Sequence, residues 1–308
     1  MTQRIAVIVN QASGSGHPSE WAENLAGSFR AHGCDASVTM VKDGSEIESA
    51  VKRAVADGFP TVVAGGGDGT VNAVASKVVG TDIRLGVLPL GTLNHFAKDL
   101  RIPLQLDEAI QNIAAGHCSR IDAGEVNGRI FLNNSSIGLY PELVTLREAD
   151  QRRYGVGKWR AFVRASVEVL RRYPYLHTRL IVDGQPQDRH TPCVFIGNNE
   201  YGTSGFGIGG RKRLDAGILS VYVVGSPRRS ALFALAVRAL CGSLQRTPDF
   251  EAMLATELII DTRQTSKRVA TDGEVSVMQA PLRYRILPGA LAVIVPDQSE
   301  NDEAAKRG

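Results

Sequence analysis

The chain has few cysteines and no pairs of them. Cys34, Cys118, Cys193 and Cys241 are scattered, with no short spacing between any two. This excludes a disulfide framework and a cysteine-based zinc site, and fits reduced thiols in a cytoplasmic protein. No apolar run approaches the ~18–20 residues of a membrane span. No leader pattern precedes the first strand, since Met1-Thr2-Gln3-Arg4 runs straight into it, so no signal peptide is expected. Neither sign of charge dominates: 35 Lys and Arg face 32 Asp and Glu, for a net +3. That balance is too mild to single out nucleic acid as a partner. Internal repeats and low-complexity linkers are also missing. Glycine, by contrast, is plentiful at 32 residues, and its clustering carries the first functional signal.

The segment Thr61-Val62-Val63-Ala64 is a short apolar, β-branched run that ends in Gly65-Gly66-Gly67-Asp68-Gly69-Thr70. Val71, Val74, Val78 and Val79 then recur at helical spacing. A buried strand, a glycine turn and a helix are therefore expected. Glycines at such a junction let backbone approach a ligand closely, and the helix N-terminus offers free N–H donors to an anion. A tight turn needing positive φ would explain one glycine, and three in succession exceed that need. No Gly-Lys-Ser/Thr follows, so this is not a Walker loop. Asn72 occupies the position where a Rossmann fingerprint starting at Gly67 would have glycine. Asp68 would repel phosphates unless a cation lay between them, so the loop suggests a metal–nucleotide complex.

Two similar turns flank it. Ile5 to Val9 reads as a strand, followed by Asn10-Gln11-Ala12-Ser13-Gly14-Ser15-Gly16 and a helix from near Pro18. Arg84 to Leu90 reads as another, followed by Gly91-Thr92-Leu93-Asn94-His95, with Thr92 a candidate N-cap. His95 could contact phosphate or be only a polar surface residue. Further strand and helix patterns over Ala36–Val41 and Ile47–Val55 complete a β–α–β–α–β–α order. Such an order implies a parallel sheet covered by helices, with its glycine turns on the carboxyl edge.

From about Ser119 the pattern changes to antiparallel β, of sandwich or barrel type. Asn127-Gly128 and Asp183-Gly184 read as hairpin turns, and Thr271-Asp272-Gly273-Glu274 separates two strands. Asp272 and Glu274 could be turn residues only, or carboxylates placed as general base and metal ligand. Strands are expected over Tyr175–Val182, Thr191–Ile196, Leu219–Val224, Leu258–Asp261, Leu282–Leu287 and Leu291–Val295. Two amphipathic helices, 157–173 with a basic flank and Trp159, and 230–244, would pack on a sheet or meet an anionic membrane surface.

Together these segments resemble the diacylglycerol kinase catalytic family in its bacterial lipid-kinase branch, which is related to sphingosine, ceramide and NAD kinases. The matching elements are Asn10-x-x-Ser13-Gly14-x-Gly16, Gly66-Gly67-Asp68-Gly69-Thr70, Pro89-Leu90-Gly91-Thr92-x-Asn94-x-Phe96-Ala97, Leu214-Asp215-x-Gly217-x-Leu219 and Asp272-Gly273-Glu274. They occur in family order across nearly the whole chain.

The resemblance implies a nucleotide-binding α/β domain over 1–125, a β-rich lipid-substrate domain over 126–289, and a segment 290–308 returning to the first, with the active site in a cleft between domains. It implies that ATP and Mg2+ are held by Asn10, Ser13, Gly14, Gly16, Gly66 to Thr70, Gly91, Thr92 and Asn94. Asp68, Asp122 and Asp215 would be metal-linked, and Asp272 or Glu274 would take the proton from the acceptor hydroxyl. It further implies a cytoplasmic enzyme, peripheral at the inner membrane face, acting on a lipid alcohol such as diacylglycerol and compatible with a homodimer. The chain departs from the family at His95 and Ala216, where relatives often carry Asp. A soluble NAD-kinase-like enzyme and a nucleotide-gated lipid-binding protein are the alternatives.

Overall fold

A computed structural model of the protein describes residues 2–14, 18, 20–139, 141, 176–201, 211, 213–224 and 250–297. The expected helices over 157–173 and 230–244, the loop glycines 202–210, Gly16 and the tail from 298 lie outside the described residues. The chain divides into two units, Met1–Ile121 with Gly289–Gly308, and Asp122–Pro288.

In the first unit the order is β1 (Gln3–Asn10), α1 (Trp21–Ala31), β2 (Cys34–Val41), α2 (Gly44–Ala56), β3 (Thr61–Gly66), α3 (Asp68–Val78), β4 (Arg84–Pro89), α4 (His95–Asp99) and α5 (Leu106–Ala115). The strands pair in parallel in the order β2-β1-β3-β4. Ile5 to Val9 and Thr61 to Gly66 are buried without alternation. Such continuity is what a parallel sheet covered on both faces requires. The core gathers Ile5, Val7 and Val9 with Leu25, Phe29, Val63, Leu88, Ile110 and Ile113. Each such side chain contributes about 1.5–3 kcal/mol on full burial. Helix α2 is fixed at its start by Asp43, whose carboxylate accepts from the Ser45 and Glu46 amides.

The second unit contains β5 (Cys118–Val126, beginning in the first unit), β6 (Arg129–Phe131), β7 (Asn134–Gly138), β8 (Leu176–Val182), β9 (Gln185–Thr191), β10 (Cys193–Asn198), β11 (Leu219–Val224), β12 (Phe250–Ala255), β13 (Glu257–Thr262), β14 (Ser266–Thr271), β15 (Glu274–Gln279) and β16 (Leu282–Ile294, ending in the first unit). One sheet runs β12-β11-β10-β7-β14-β15, antiparallel throughout. Another set pairs the start of β16 with β13, then β8, then β9, again antiparallel. Side chains of both sets, among them Ile137, Val194, Val221, Leu180, Leu258 and Tyr284, form one core, so this unit is a β-sandwich.

The three expected turns are two-residue hairpins. Their central residues all have positive φ: Asn127 46° and Gly128 84°, Asp183 45° and Gly184 82°, Asp272 48° and Gly273 86°. This is the type I′ geometry that suits strand twist. Two strand expectations are corrected. The strands expected over 282–287 and 291–295 are one strand, β16. Its early residues pair with β13, and Ala292 and Val293 pair in parallel with Arg84 and Leu85 of β4 in the first unit. In addition, β9 directly follows the Asp183-Gly184 turn, although Gln-Pro-Gln-Asp-Arg-His is polar. It is an edge strand of its set, where proline and polar residues are tolerated.

Candidate active site

Strands β1, β3 and β4 are neighbours in the parallel sheet, so their carboxyl ends place three glycine turns side by side. The chemistry of the first unit is concentrated there. The Asn10 carboxamide accepts from the Ala12 amide at 3.0 Å and donates to the Thr70 hydroxyl at 3.2 Å. Thr70 is buried and lies over Gly66, where a β-carbon would meet its side chain at 2.5 Å. The Leu90 amide donates to the Gly66 carbonyl at 3.1 Å. Gly14, at φ 63°, passes so close to the Leu90 carbonyl that a β-carbon would stand 2.8 Å from it. Ser13 is buried in the same turn, its amide on the Asn10 carbonyl at 3.1 Å. Both glycines are required by close approach, and Gly14 by its positive φ as well.

Asp68 connects the second turn to the third. Its Oδ2 accepts from the His95 amide at 3.1 Å and its Oδ1 from the Phe96 amide at 3.0 Å. The carboxylate therefore caps α4 from 27 residues away in sequence. Thr92, expected to cap that helix, is exposed; the N-cap position is Asn94, in left-handed conformation at φ 49°. Asn94 is buried, accepts from the Gly91 amide at 3.1 Å and donates to the Gly91 carbonyl at 2.8 Å. Its amide shapes the loop and is used up in doing so. The His95 imidazole is exposed.

Helix α3 begins at Asp68 after Gly67, and the Val71 amide is the first to find an acceptor, on the Gly67 carbonyl at 3.0 Å. The Asp68, Gly69 and Thr70 amides thus precede the helical ladder. Gly69 is exposed. Together with the macrodipole, these donors would suit an anion. Asp68 also fits a magnesium ion. Each of its oxygens spends one lone pair on an amide and keeps another, and magnesium usually takes only one or two carboxylates beside phosphate oxygens.

In the second unit the structure separates Asp272 from Glu274. The Asp272 carboxylate accepts from three consecutive amides, Leu132 at 2.7 Å, Asn133 at 2.8 Å and Asn134 at 2.9 Å. Burial pushes its pKa up from the ordinary carboxylate value, partly offset by those bonds and by Arg211. Glu274 faces outward, its side chain 60% exposed, in an ion pair with Arg129 at 2.8 Å.

Arg211, visible in the sequence only as part of a basic run, is buried. Its guanidinium donates to the Leu132 carbonyl, to the Asn198 carbonyl at 3.2 Å and to Asn133 Oδ1 at 2.8 Å. Residues 132–134 are thus held by a carboxylate on their three amides and a guanidinium on the Leu132 carbonyl and the Asn133 side-chain oxygen. Asn133, which has no motif around it, was not identifiable in advance.

Asp122 is buried and accepts from the Gly217 amide at 2.7 Å, while its carbonyl accepts from Asn198 at 3.0 Å. Asp215 is gripped by Arg213 through two bonds, at 3.0 and 3.3 Å, which lowers its pKa. A guanidinium already satisfies this carboxylate, and Ala216 supplies none. Among the described residues no three His, Cys, Asp or Glu side chains converge as a metal group. Asp122 and Asp215 therefore do not fit a carboxylate metal cage, and no step through a metal is assigned there.

The fold comprises an α/β unit with three glycine turns at one sheet edge, joined in one chain to an antiparallel sandwich. Family models agree with both parts: the diacylglycerol kinase catalytic domain matches residues 4–126, and the YegS C-terminal NAD kinase beta sandwich-like domain matches residues 143–295. Residues 4–126 thus belong to the diacylglycerol kinase catalytic-domain family. A "probable lipid kinase YegS-like" from Yersinia pestis is 32% identical over 161 residues, 51% of this chain and 53% of that protein. An uncharacterized Synechocystis protein is 27% identical over 85% of this chain and 61% of its own length. The chain thus spans roughly half to three-fifths of these curated relatives. Two Bacillus anthracis crystal structures, the second described as a diacylglycerol kinase, each cover 96% of this chain, with TM-scores of 0.76 and 0.69 at 24% and 22% identity. At such identity they speak for the fold alone.

Proposed function

We propose that this protein is an ATP-dependent lipid kinase that moves the γ-phosphoryl group of Mg-ATP onto the hydroxyl of a membrane lipid alcohol, with diacylglycerol as the first candidate acceptor. The observation that carries this reading is the convergence of the three glycine turns at the N-terminus of α3. Phosphoryl transfer needs little covalent chemistry from the protein; it needs positioned donors and charge stabilisation. The amides of Asp68, Gly69 and Thr70 supply donors, and Gly67 and Gly91 keep side chains out of their way. Asp68 is the residue to hold magnesium, which when bound neutralises phosphate charge. In the reaction the bond from the γ-phosphorus to the bridging oxygen breaks, a bond to the alcohol oxygen forms, and the alcohol proton passes to a carboxylate. Glu274 suits that proton better than Asp272, whose two oxygens are occupied by three amides. Action at a membrane surface would be peripheral, since no helix among the described residues is long and apolar enough to cross one.

The test is transfer of labelled γ-phosphate from Mg-ATP into vesicles containing a panel of lipid alcohols, with Glu274→Gln in parallel. One labelled lipid, lost in the variant, is the expected outcome. Label in NAD instead of lipid would mean an NAD kinase. ATP binding with no labelled product would mean a nucleotide-gated binding protein. Either result overturns the lipid-kinase reading.

A further inference from the structure

Strand β6 carries Arg129, the partner of Glu274, and runs directly into Leu132 and Asn133, whose amides meet the Asp272 carboxylate. Asn133 is only 9% exposed, and almost every polar group it has is used inside the second unit. Its backbone amide donates to Asp272 at 2.8 Å. Its carbonyl accepts from the Asn198 amide at 2.9 Å and from the Tyr201 hydroxyl at 3.0 Å. Its Oδ1 accepts from the Arg211 guanidinium at 2.8 Å. One group is left over. The side-chain Nδ2 donates to no described residue, and it is not sealed off from solvent.

Arg211 decides which way that carboxamide points. A guanidinium has donors only, so the atom facing it is the oxygen, and the NH2 is turned away from it. The guanidinium is itself fixed, by the Leu132 and Asn198 carbonyls and by the Tyr201 ring, whose centroid lies 5.9 Å from its carbon. Burying an arginine is costly, and apolar replacement of buried charge is often no less stable. What Arg211 supplies is a donor held in one orientation before any ligand arrives, which spares the ordering cost of binding. That ligand must bring an oxygen, because a carboxamide NH2 only donates. A neutral oxygen suits the place better than an anion. Asp272 touches the same residue, and Glu274 follows two positions along the hairpin.

We propose, resting on the lipid-kinase reading for the identity of the ligand, that the Asn133 Nδ2 amide binds an uncharged oxygen of the acceptor, the hydroxyl or ester carbonyl of a neutral lipid alcohol. Arg211 is the positioning residue that orients it. Asn133 takes no proton and makes no covalent bond; it holds the acceptor beside the hairpin that bears Glu274. Loss of the donor therefore weakens acceptor binding and leaves nucleotide binding, a property of the first unit in that reading, unchanged.

Asn133→Asp splits the two roles of this side chain, since the aspartate keeps an oxygen for Arg211 and has no NH2 to offer. Transfer of labelled phosphate from Mg-ATP is measured in the full chain and in Asn133→Asp and Asn133→Ala, with the concentration of the lipid that takes up label varied. A parallel arm follows the Asn133 side-chain NH2 resonances of the wild type during titration with dihexanoylglycerol, or with the short-chain form of whichever other lipid takes label. Asn133→Asp should melt near wild type, with the KM for the acceptor raised about tenfold, the scale of one lost hydrogen bond. Its kcat and its KM for ATP should stay close to wild type, the pattern of lost ground-state binding. Asn133→Ala should lose the same acceptor affinity and also melt lower, because Arg211 is left short of an acceptor. The NH2 pair should shift saturably. An unchanged acceptor KM in well-folded Asn133→Asp overturns the proposal, and so does an NH2 pair that does not respond to the lipid. If the wild type labels no lipid, the kinase reading fails by itself. The dihexanoylglycerol titration then decides alone: a saturable shift keeps this amide as a lipid-oxygen site, and no shift overturns it.

Discussion

Gly67 and Gly91 meet backbone to backbone: a β-carbon on Gly91 would stand 2.4 Å from the Gly67 Cα and 2.9 Å from Asn94 Oδ1, whereas one on Gly67 would stand 3.4 Å from the Gly91 Cα. The contact is asymmetric, and so are its consequences. Gly91→Ala forces rigid backbone apart and should cost about 1–3 kcal/mol, the usual range for overpacking, together with nucleotide binding. Gly67→Ala should be milder on both counts. Thermal melts and nucleotide titration of the two variants check the order; equal losses would mean that the turns do not depend on this approach.

Asp68 has two tasks that substitution can separate. Asp68→Ala leaves the His95 and Phe96 amides without their cap and should lower stability by about 0.5–2 kcal/mol. Asp68→Asn keeps one acceptor oxygen and most of that stability, yet lacks the charge for magnesium. The melting temperature of Asp68→Asn should therefore stay near wild type while its magnesium-dependent nucleotide affinity falls. If both variants lose stability equally and bind Mg-ATP normally, the carboxylate is a cap alone.

The two carboxylates of the last hairpin should behave oppositely. Asp272→Asn turns an amide donor toward one of three backbone donors, and Asp272→Ala leaves all three without their acceptor. Each should destabilise the protein by about 1–3 kcal/mol. Glu274→Gln gives up only an exposed ion pair with Arg129, of order 0–1 kcal/mol, so it should melt near wild type. Loss of phosphoryl transfer in well-folded Glu274→Gln would assign it the proton. Full activity there would return the role to Asp272.

His177 of β8 stacks on His190 of β9, with ring centroids 4.1 Å apart, and gives the sandwich a pH signature. Its pKa is lower in the folded protein than its ordinary value, so the unfolded chain takes up the proton first. Stability from this site is complete above about pH 6.5 and is lost as pH falls through the lowered value. His190→Gln removes the principal cause, and its melting temperature should decline less than that of wild type on acidification. Parallel melting curves across that range would show that the stacked pair is not responsible.

The sequence made legible what depends on local chemistry. The Asn127-Gly128, Asp183-Gly184 and Asp272-Gly273 turns were readable because few residue pairs accept two successive positive φ values. The three glycine turns were readable because strand, turn and helix patterns adjoin in the chain. What escaped depends on partners distant in sequence. Thr92 has the composition of an N-cap, but Asp68 caps α4 from another turn. Arg211 looks like one of three solvated charges until residues 132, 133 and 198 surround it. β9 lacks any strand-like composition and is recruited by its hairpin and its pairing with β8. The continuity of β16 through Pro288 and Gly289 was hidden because proline and glycine together read as a break.

The pairing of Ala292 and Val293 with β4 also has a genetic consequence. The α/β unit is encoded in two pieces, with the sandwich between them. A premature stop codon shortly before position 290 would leave the glycine turns and the whole sandwich translated, yet would remove a strand, including the buried Ile294, from the sheet that holds those turns. A lesion downstream of the sandwich would thus act on the half encoded upstream of it.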